Sequence, residues 1–192
     1  MENDFFKQLL KLKQTVFSFK ELILRSKSKN INNLKSTINY YVKTNQLYHI
    51  RRGLYAKDKN YDRKELATKI FTPSYISFET VLLKAGIIFQ YHKEIFIASY
   101  QTKTIECDGH IYNFKKLKPT ILTDSIGIEI KEFYSIASPE RAFLDTIYLY
   151  KQYYFDNLEP LDWEKVYEIL PIYKDKTMTK RVNSYYEAYK NE

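Results

Sequence analysis

The fold is decided by residues 18–56, which read SFKELILRSKSKNINNLKSTINYYVKTNQLYHIRRGLYA. Ser18, followed three positions later by Glu21, has the pattern of a capping box, which predicts that a short helix begins there. The polar run 25–29 interrupts the apolar pattern, and a further helix is predicted from near Asn30. Two helices joined by a short polar turn are typical of a helix-turn-helix. The predicted apolar side of the last helix carries Ile31, Leu34, Ile38 and Val42.

The flanking segments complete a small domain. Residues 4–12 have helical apolar spacing, which predicts a first amphipathic helix, and residues 15–17 predict a short extended connection. Residues 47–50 alternate like a strand, and Leu54–Ala56 can return as its partner after a turn at Arg51–Gly53. This hairpin is a candidate wing, so we expect an N-terminal winged helix-turn-helix.

Net charge is concentrated in the first third of the chain. Residues 1–60 hold 13 Lys and Arg against 4 Asp and Glu, whereas residues 61–192 hold 18 against 19. Basic charge confined to one segment suits binding to the phosphates of DNA, although a lysine-rich solvated surface would look the same. Residues 57–63 are polar and charged like a linker, so we expect a DNA-binding domain over 1–60 and a second domain over 61–192.

The exposed side of the third helix is the strongest functional signal. Without its apolar side the helix presents Lys, Asn, Ser and Tyr and no acid, which suits a groove lined with phosphates. Asparagine can pair with the edge of adenine, so Asn32, Asn33 and Ser36 are the candidate base-reading residues. An ordinary solvated helix face remains the alternative. The candidate DNA-contacting residues are Ser18, Lys29, Asn30, Asn32, Asn33, Lys35, Ser36, Asn39, Arg51 and Arg52.

The second domain is predicted to be α/β, with one antiparallel sheet flanked by helices. We expect Ser77 to cap a helix that ends near Gly86, and Ser138-Pro139-Glu140 to begin a helix that runs to Tyr150. The other predicted helices span 64–71, 162–170 and 176–190, and the predicted strands span 95–100, 103–107, 111–117 and 128–134. The fold class predicted for the whole chain is therefore α+β.

Two sets of charged residues in this domain are candidates for a chemical role. Arg141 and Asp145 stand four apart on a predicted helix, where an intrahelical ion pair is the simplest account. Asp124, Glu129 and Lys131 form a D-x4-E-x-K arrangement that could hold a divalent metal for phosphodiester hydrolysis. Nucleases of that type usually separate the first acid from the E-x-K by a longer segment. We therefore predict that the chain is not an enzyme.

Other classes of site have no support in the sequence. Cys107 is the single cysteine, and the three histidines do not have zinc-ligand spacing, so we expect neither metal nor cofactor. No apolar run approaches the roughly 20 residues that span a bilayer, and the N-terminus lacks the basic start of a signal peptide. A cytoplasmic protein without a membrane partner is expected.

Three landmarks follow one another along the chain. They are Ile50-Arg51-Arg52-Gly53-Leu54-Tyr55, then Pro73-Ser74-Tyr75-Ile76-Ser77 with Gly86-Ile87-Ile88, and Ala137-Ser138-Pro139-Glu140-Arg141-Ala142-Phe143-Leu144-Asp145. Together they resemble the AbiEi family of type IV antitoxins. The resemblance covers about residues 15–150, and the region after residue 150 is shorter than in the longer family members.

The resemblance implies a transcriptional repressor that binds inverted repeats in its own promoter and opposes a nucleotidyltransferase-like toxin without a stable complex. Ser138, Glu140, Arg141 and Asp145 would then belong to an antitoxin-domain motif. Dimeric or cooperative binding to DNA stays open. A solitary transcription factor of the same fold is the leading alternative, and the metal-dependent nuclease is the third.

Overall fold

The computed structural model describes residues 2–26 and 30–191. The chain divides into two compact units, Met1–Ile70 and Phe71–Glu192. This division lies beyond the boundary expected near residue 60, because the helix at Arg63–Ile70 belongs to the first unit. Its buried Glu65 accepts hydrogen bonds from the backbone N–H groups of Thr15 and Val16, at 2.8 Å each.

The first unit combines helices with a small antiparallel sheet. Its elements are α1 (Glu2–Lys11), β1 (Val16–Ser18), α2 (Phe19–Ser26), α3 (Ile31–Lys43), β2 (Tyr48–Arg51), β3 (Leu54–Ala56) and α4 (Arg63–Ile70). β3 lies between β1 and β2 and pairs antiparallel with both. The predicted capping box is confirmed, since Ser18 N and Oγ donate to Glu21 Oε2 and Glu21 N donates back to Ser18 Oγ.

The core of the first unit is formed by α1, α2, α3 and the sheet. The predicted apolar side of α3 is partly wrong, because Ile31 is 48% exposed and Val42 is only half-buried. Tyr41 takes the inward position instead and stacks on Phe6 with ring centroids 4.1 Å apart. The buried cluster contains Phe6, Leu9, Phe17, Leu22, Leu34, Ile38, Tyr41 and Leu47.

The second unit is a mixed α+β arrangement. Its first elements are β4 (Ser74–Ile76), α5 (Glu79–Lys84), β5 (Ile95–Ser99), β6 (Lys103–Cys107), β7 (His110–Lys116) and α6 (Pro119–Leu122). They are followed by β8 (Ile128–Ile130), β9 (Ser135–Ala137), α7 (Pro139–Leu149), α8 (Trp163–Ile169), a 3-10 helix (Leu170–Tyr173) and α9 (Lys176–Lys190).

The sheet of the second unit is mixed, so the expectation of a purely antiparallel sheet was wrong. Its order is β6-β7-β5-β4-β9-β8, and both the β4–β9 and the β5–β7 pairs are parallel. The parallel direction of these pairs was not predicted for two reasons. β7 lies between β5 and β6 in the sheet, and apolar and polar residues alternate along a strand in the same way in parallel and antiparallel pairing. The three-residue strands β4 and β9 were also not predicted.

The start of α5 differs from the prediction. Ser77 was expected to cap this helix, but Phe78 occupies the N-cap position with φ 55°, a left-handed conformation that is unusual for a bulky residue. Ser77 is fully buried, and its hydroxyl donates to Asp145 instead. The predicted start of α7 is confirmed, since Arg141 N donates to Ser138 Oγ at 3.2 Å and Pro139 is the first helical residue.

Candidate nucleic-acid interface

The exposed side of α3, here called the α3 surface, is the largest predicted set of contact residues that the structure brings together. No acidic residue occurs anywhere in α3, so this surface carries only neutral polar, apolar and cationic groups. Exposed polar side chains on a helix without acids can form hydrogen bonds with bases and phosphates. The exposed residues are Ile31, Asn32, Asn33, Lys35, Ser36, Asn39, Tyr40 and Lys43.

Two of the predicted contact residues are used within the protein. Asn30 Oδ1 caps α3 by accepting hydrogen bonds from the backbone N–H of Asn32 at 2.9 Å and of Asn33 at 3.2 Å. Ser18 is half-buried, and its hydroxyl belongs to the capping box with Glu21. Both residues therefore position helices through these contacts. Lys29, a third candidate, lies outside the described residues.

The carboxylate of Glu21 lies at the start of α2 and accepts hydrogen bonds from three other residues. The donors are Ser18, Gln14 Nε2 at 3.0 Å and Lys69 Nζ at 2.5 Å. Burial alone raises the pKa of Glu21, but the bonds from Lys69 and Ser18 outweigh that effect, and the pKa lies below its usual value. Glu21 is therefore an ionised anchor between α2 and α4.

The turn between β2 and β3 is formed at the predicted place. Gly53 has φ +77°, and an added Cβ would meet no atom within 4 Å, so glycine is favoured there by backbone conformation and not by lack of space. Gly53 O accepts a hydrogen bond from Phe19 N at 2.8 Å, which ties the turn to the start of α2. The register shifts between His49 and Arg51, so the hairpin contains a bulge beside the turn.

A cleft of about 410 Å³ lies beside the α3 surface, and we call it the α3 cleft. It brings two predicted cationic residues, Lys35 and Arg52, to one concave site with aromatic side chains. Lys35 Nζ is 6.0 Å from the centre of the Phe19 ring, at the limit of a cation–π contact. The lining residues are Phe19, Lys35, Asn39, Arg52, Gly53 and Tyr55.

The two arginines of the hairpin have different surroundings. Arg52 is exposed and lines the α3 cleft, so its guanidinium is accessible to an anion. Arg51 is half-buried, and its Nη1 has no hydrogen-bond partner within the described part of the chain. Arg52 is therefore the better placed of the two to bind phosphate, a distinction that the sequence did not predict.

In the second unit, Arg141 and Asp145 do form the predicted ion pair, with Arg141 Nε 3.3 Å from Asp145 Oδ1. Both side chains are fully buried, which the sequence did not indicate. Asp145 Oδ2 accepts hydrogen bonds from Tyr75 at 2.9 Å and Ser77 at 2.8 Å, and Oδ1 accepts one from Tyr173 at 2.7 Å. These five residues form what we call the buried polar cluster.

Burial and the neighbouring charges shift the pKa of the ionisable side chains in the buried polar cluster and keep its two tyrosines protonated. Burial and the charge of Asp145 raise the pKa of Tyr75 and Tyr173 well above the usual value, so both hydroxyls remain donors. Burial raises the pKa of Asp145 above its usual value, and Arg141 and the three hydroxyl donors offset that rise only in part. Burial opposes the charge of Arg141, but Asp145, Tyr173 and Tyr75 together outweigh burial and raise the pKa of Arg141.

Arg141 also holds the loop between α6 and β8. Its Nη2 donates to Ile121 O and its Nη1 to Ile126 O, at 2.7 Å each. Gly127 lies against the same side chain, because a Cβ there would come within 2.9 Å of Arg141 Cβ and 2.8 Å of Ile169 Cδ1. A side chain at position 127 would therefore displace α7 or α8.

Ser138 and Glu140, the other two members of the antitoxin-domain motif, also have structural contacts. Ser138 caps α7, and the buried Glu140 accepts a long hydrogen bond of 3.4 Å from Asp162 N, the residue that caps α8. The four motif residues thus lie at the start and along the length of α7. Ser138 caps this helix, whereas Glu140, Arg141 and Asp145 direct their functional groups to neighbouring elements.

The residues of the nuclease hypothesis are not assembled around a metal position. Glu129 and Lys131 form an ion pair with each other and are about half exposed. Asp124 Oδ1 accepts a hydrogen bond from Ile126 N at 3.0 Å, as in a turn. Over residues 2–26 and 30–191, no group of three or more His, Cys, Asp and Glu side chains could hold a metal ion.

Sequence reasoning missed three residues of the buried polar cluster. Tyr75 and Ser77 belong to a quoted landmark, but nothing in their spacing indicated that they face Asp145. Tyr173 lies in a 3-10 helix outside every landmark.

Within the described residues, no helix combines the length and the apolar composition needed to cross a membrane. No family model matches the chain, and no curated protein matches its sequence.

Proposed function

We propose that the first unit is a winged helix-turn-helix that binds double-stranded DNA. The order α1-β1-α2-α3-β2-β3, with β3 between β1 and β2, supports this assignment. In this proposal α3 is the recognition helix, and the β2–β3 hairpin is the wing.

One observation carries the proposal. The α3 surface has no carboxylate, and beside it the α3 cleft brings Lys35 and Arg52 together. Asn32, Asn33 and Ser36 would read base edges, while Lys35, Asn39 and Arg52 would hold the backbone. A face without carboxylates exerts no charge repulsion on the phosphates of DNA.

We further propose that the protein is a cytoplasmic repressor and the antitoxin of a type IV, AbiE-like toxin–antitoxin system. It would bind inverted repeats in its own promoter and oppose a nucleotidyltransferase-like toxin without a stable complex. The buried polar cluster supports the resemblance on which this rests. Tyr75 and Ser77 of the second landmark contact Asp145 of the third, although about seventy residues separate them.

The DNA-binding proposal is tested with the full chain and its own upstream region. We expect tight binding to that duplex, weaker binding to a shuffled duplex of equal length, and a steep loss of affinity with salt. Binding that is indifferent to salt, or equal for the two duplexes, would contradict it.

The antitoxin proposal needs a separate test in cells. An adjacent nucleotidyltransferase-like gene should arrest growth when expressed alone, and co-expression of this chain should restore growth. If no such gene adjoins, or if co-expression does not rescue growth, the solitary transcription factor is favoured. DNA binding is common to both and does not distinguish them.

A further inference from the structure

The strand β8 has an open edge. Within the described part of the chain, β9 is the only strand that pairs with it, with Glu129 opposite Ile136 and Ile130 opposite Ser135. Lys131 N donates to Tyr134 O, and Ser138 N donates to Gly127 O. Hydrogen-bonded pairs alternate along an antiparallel ladder, so the N–H and C=O of Ile130 point away from β9.

The side chains at this edge are unusual for an exposed strand. Ile130 is 83% exposed, the highest value among the large hydrophobic side chains of the described residues. Glu129 and Lys131 lie on the opposite face of the strand and form an ion pair. An exposed β-branched residue next to an unpaired backbone is a template for another strand.

We propose that β8 pairs antiparallel with β8 of a second copy of this chain, about a two-fold axis at Ile130. Each Ile130 then lies opposite Ile130 of the partner subunit, and the two backbones exchange a pair of hydrogen bonds. Glu129 lies opposite Lys131 of the partner subunit, and Lys131 opposite Glu129 of the partner subunit. On one face two isoleucines meet, and on the other four charges alternate in sign.

Charge complementarity selects a second copy over an unrelated strand. A two-fold interface requires the same surface to be complementary to itself. The order Glu129-Ile130-Lys131 meets that requirement, because its reversal places each charge opposite the other sign. The two charged residues that did not form a metal site are thereby given a role.

The contact is small, so the dimer is weak. A three-residue strand buries far less than the roughly 1,200 Å² of a stable interface, and association depends on concentration. The proposal stands independently of DNA binding. If the protein does bind an inverted repeat, adjacent half-sites would raise the effective concentration of the two edges.

A charge-swap experiment tests the pairing. Glu129→Lys places lysine opposite lysine in a homodimer, and Lys131→Glu places glutamate opposite glutamate. We expect each variant alone to dimerise about tenfold more weakly than the natural chain at low salt, because like charges now face each other. An equimolar mixture should recover dimerisation, since every cross-strand pair is then of opposite sign. Sedimentation velocity of the full chains measures all four samples.

Two outcomes overturn the proposal. One is a natural chain that stays monomeric at every concentration up to about 1 mM. The other is a mixture that associates no better than its separate components. Glu106→Lys on the other edge strand, β6, is the matched control and should leave the dimer unchanged.

Cross-linking locates the axis. Ile130→Cys should form a disulfide-linked dimer under mild oxidation, because opposed Cα atoms of a hydrogen-bonded pair are about 5.5 Å apart. Thr104→Cys, exposed on β6, should not, and the natural chain with its buried Cys107 gives the background. Equal cross-linking at positions 104 and 130 would contradict the pairing.

Discussion

Removing the two cations of the α3 cleft should lower the salt dependence of DNA binding by a calculable amount. Lys35 and Arg52 both line this cleft. Each phosphate that a cation neutralises contributes a slope of about 0.9 to the fall of log affinity with log salt. The double variant Lys35→Ala with Arg52→Ala should therefore have a slope smaller by about 1.8. Between 50 and 200 mM salt its affinity should fall about 12-fold less than that of the natural chain.

The measurement is fluorescence anisotropy of a labelled upstream duplex, titrated with the full chain at several salt concentrations. Lys151→Ala is the control, since it removes an exposed lysine of the second unit. A thermal melt of the double variant checks folding, because Lys35 also approaches the Phe19 ring. The reasoning is refuted if the folded double variant keeps the natural slope, or if Lys151→Ala lowers it equally.

Four further predictions concern single residues. Asn33→Ala should reduce discrimination between the upstream duplex and unrelated DNA by roughly 1–3 kcal/mol in competition titrations, and an unchanged ratio would exclude it from base reading. Asp145→Ala should lower the free energy of unfolding in urea by about 3–5 kcal/mol, because Arg141 stays buried without the carboxylate that it pairs with. A loss below about 1 kcal/mol would contradict this prediction. Glu21 has a lowered pKa, so its stabilisation is present at neutral pH and is lost as pH falls through that pKa. The difference in unfolding free energy between the natural chain and Glu21→Gln should therefore shrink on acidification, and a pH-independent difference would refute the role. Plasmid DNA incubated with the chain and magnesium or manganese should stay intact, whereas cleavage abolished by Lys131→Ala would establish a nuclease.

Local signals in the first unit were sufficient to predict most of its elements. The capping box at Ser18 and Glu21 and the turn at Gly53 depend on residues close in sequence, and both formed as expected. The inward position of Tyr41 was missed because its burial depends on stacking against Phe6, which comes from another helix. Amphipathic spacing alone favoured Ile31 and Val42, which the packing leaves partly outside.

Non-local pairing was not predictable in the same way. The parallel pairs β4–β9 and β5–β7 join segments separated by other elements, and alternation of apolar residues carries no information about strand direction. The short strand β4 lacks the length for a periodic signal. Likewise, two adjacent arginines in the sequence do not reveal that Arg52 lines the α3 cleft while Arg51 is half-buried.

The burial of the antitoxin-domain motif limits where the proposed antitoxin could contact other molecules. Arg141 and Asp145 have no exposed area, Glu140 is almost fully buried, and Ser138 is engaged at the start of α7. The functional groups of Glu140, Arg141 and Asp145 therefore cannot contact another macromolecule while α7 keeps its place in the core. A buried ion pair also adds little stability over apolar packing, so its value here is to specify one arrangement of β4, α7 and the loop at Gly127. The motif therefore has a structural role in the second unit. If the protein is the antitoxin proposed above, residues that oppose the toxin must be sought on the exposed surface of that unit and not at Glu140, Arg141 or Asp145.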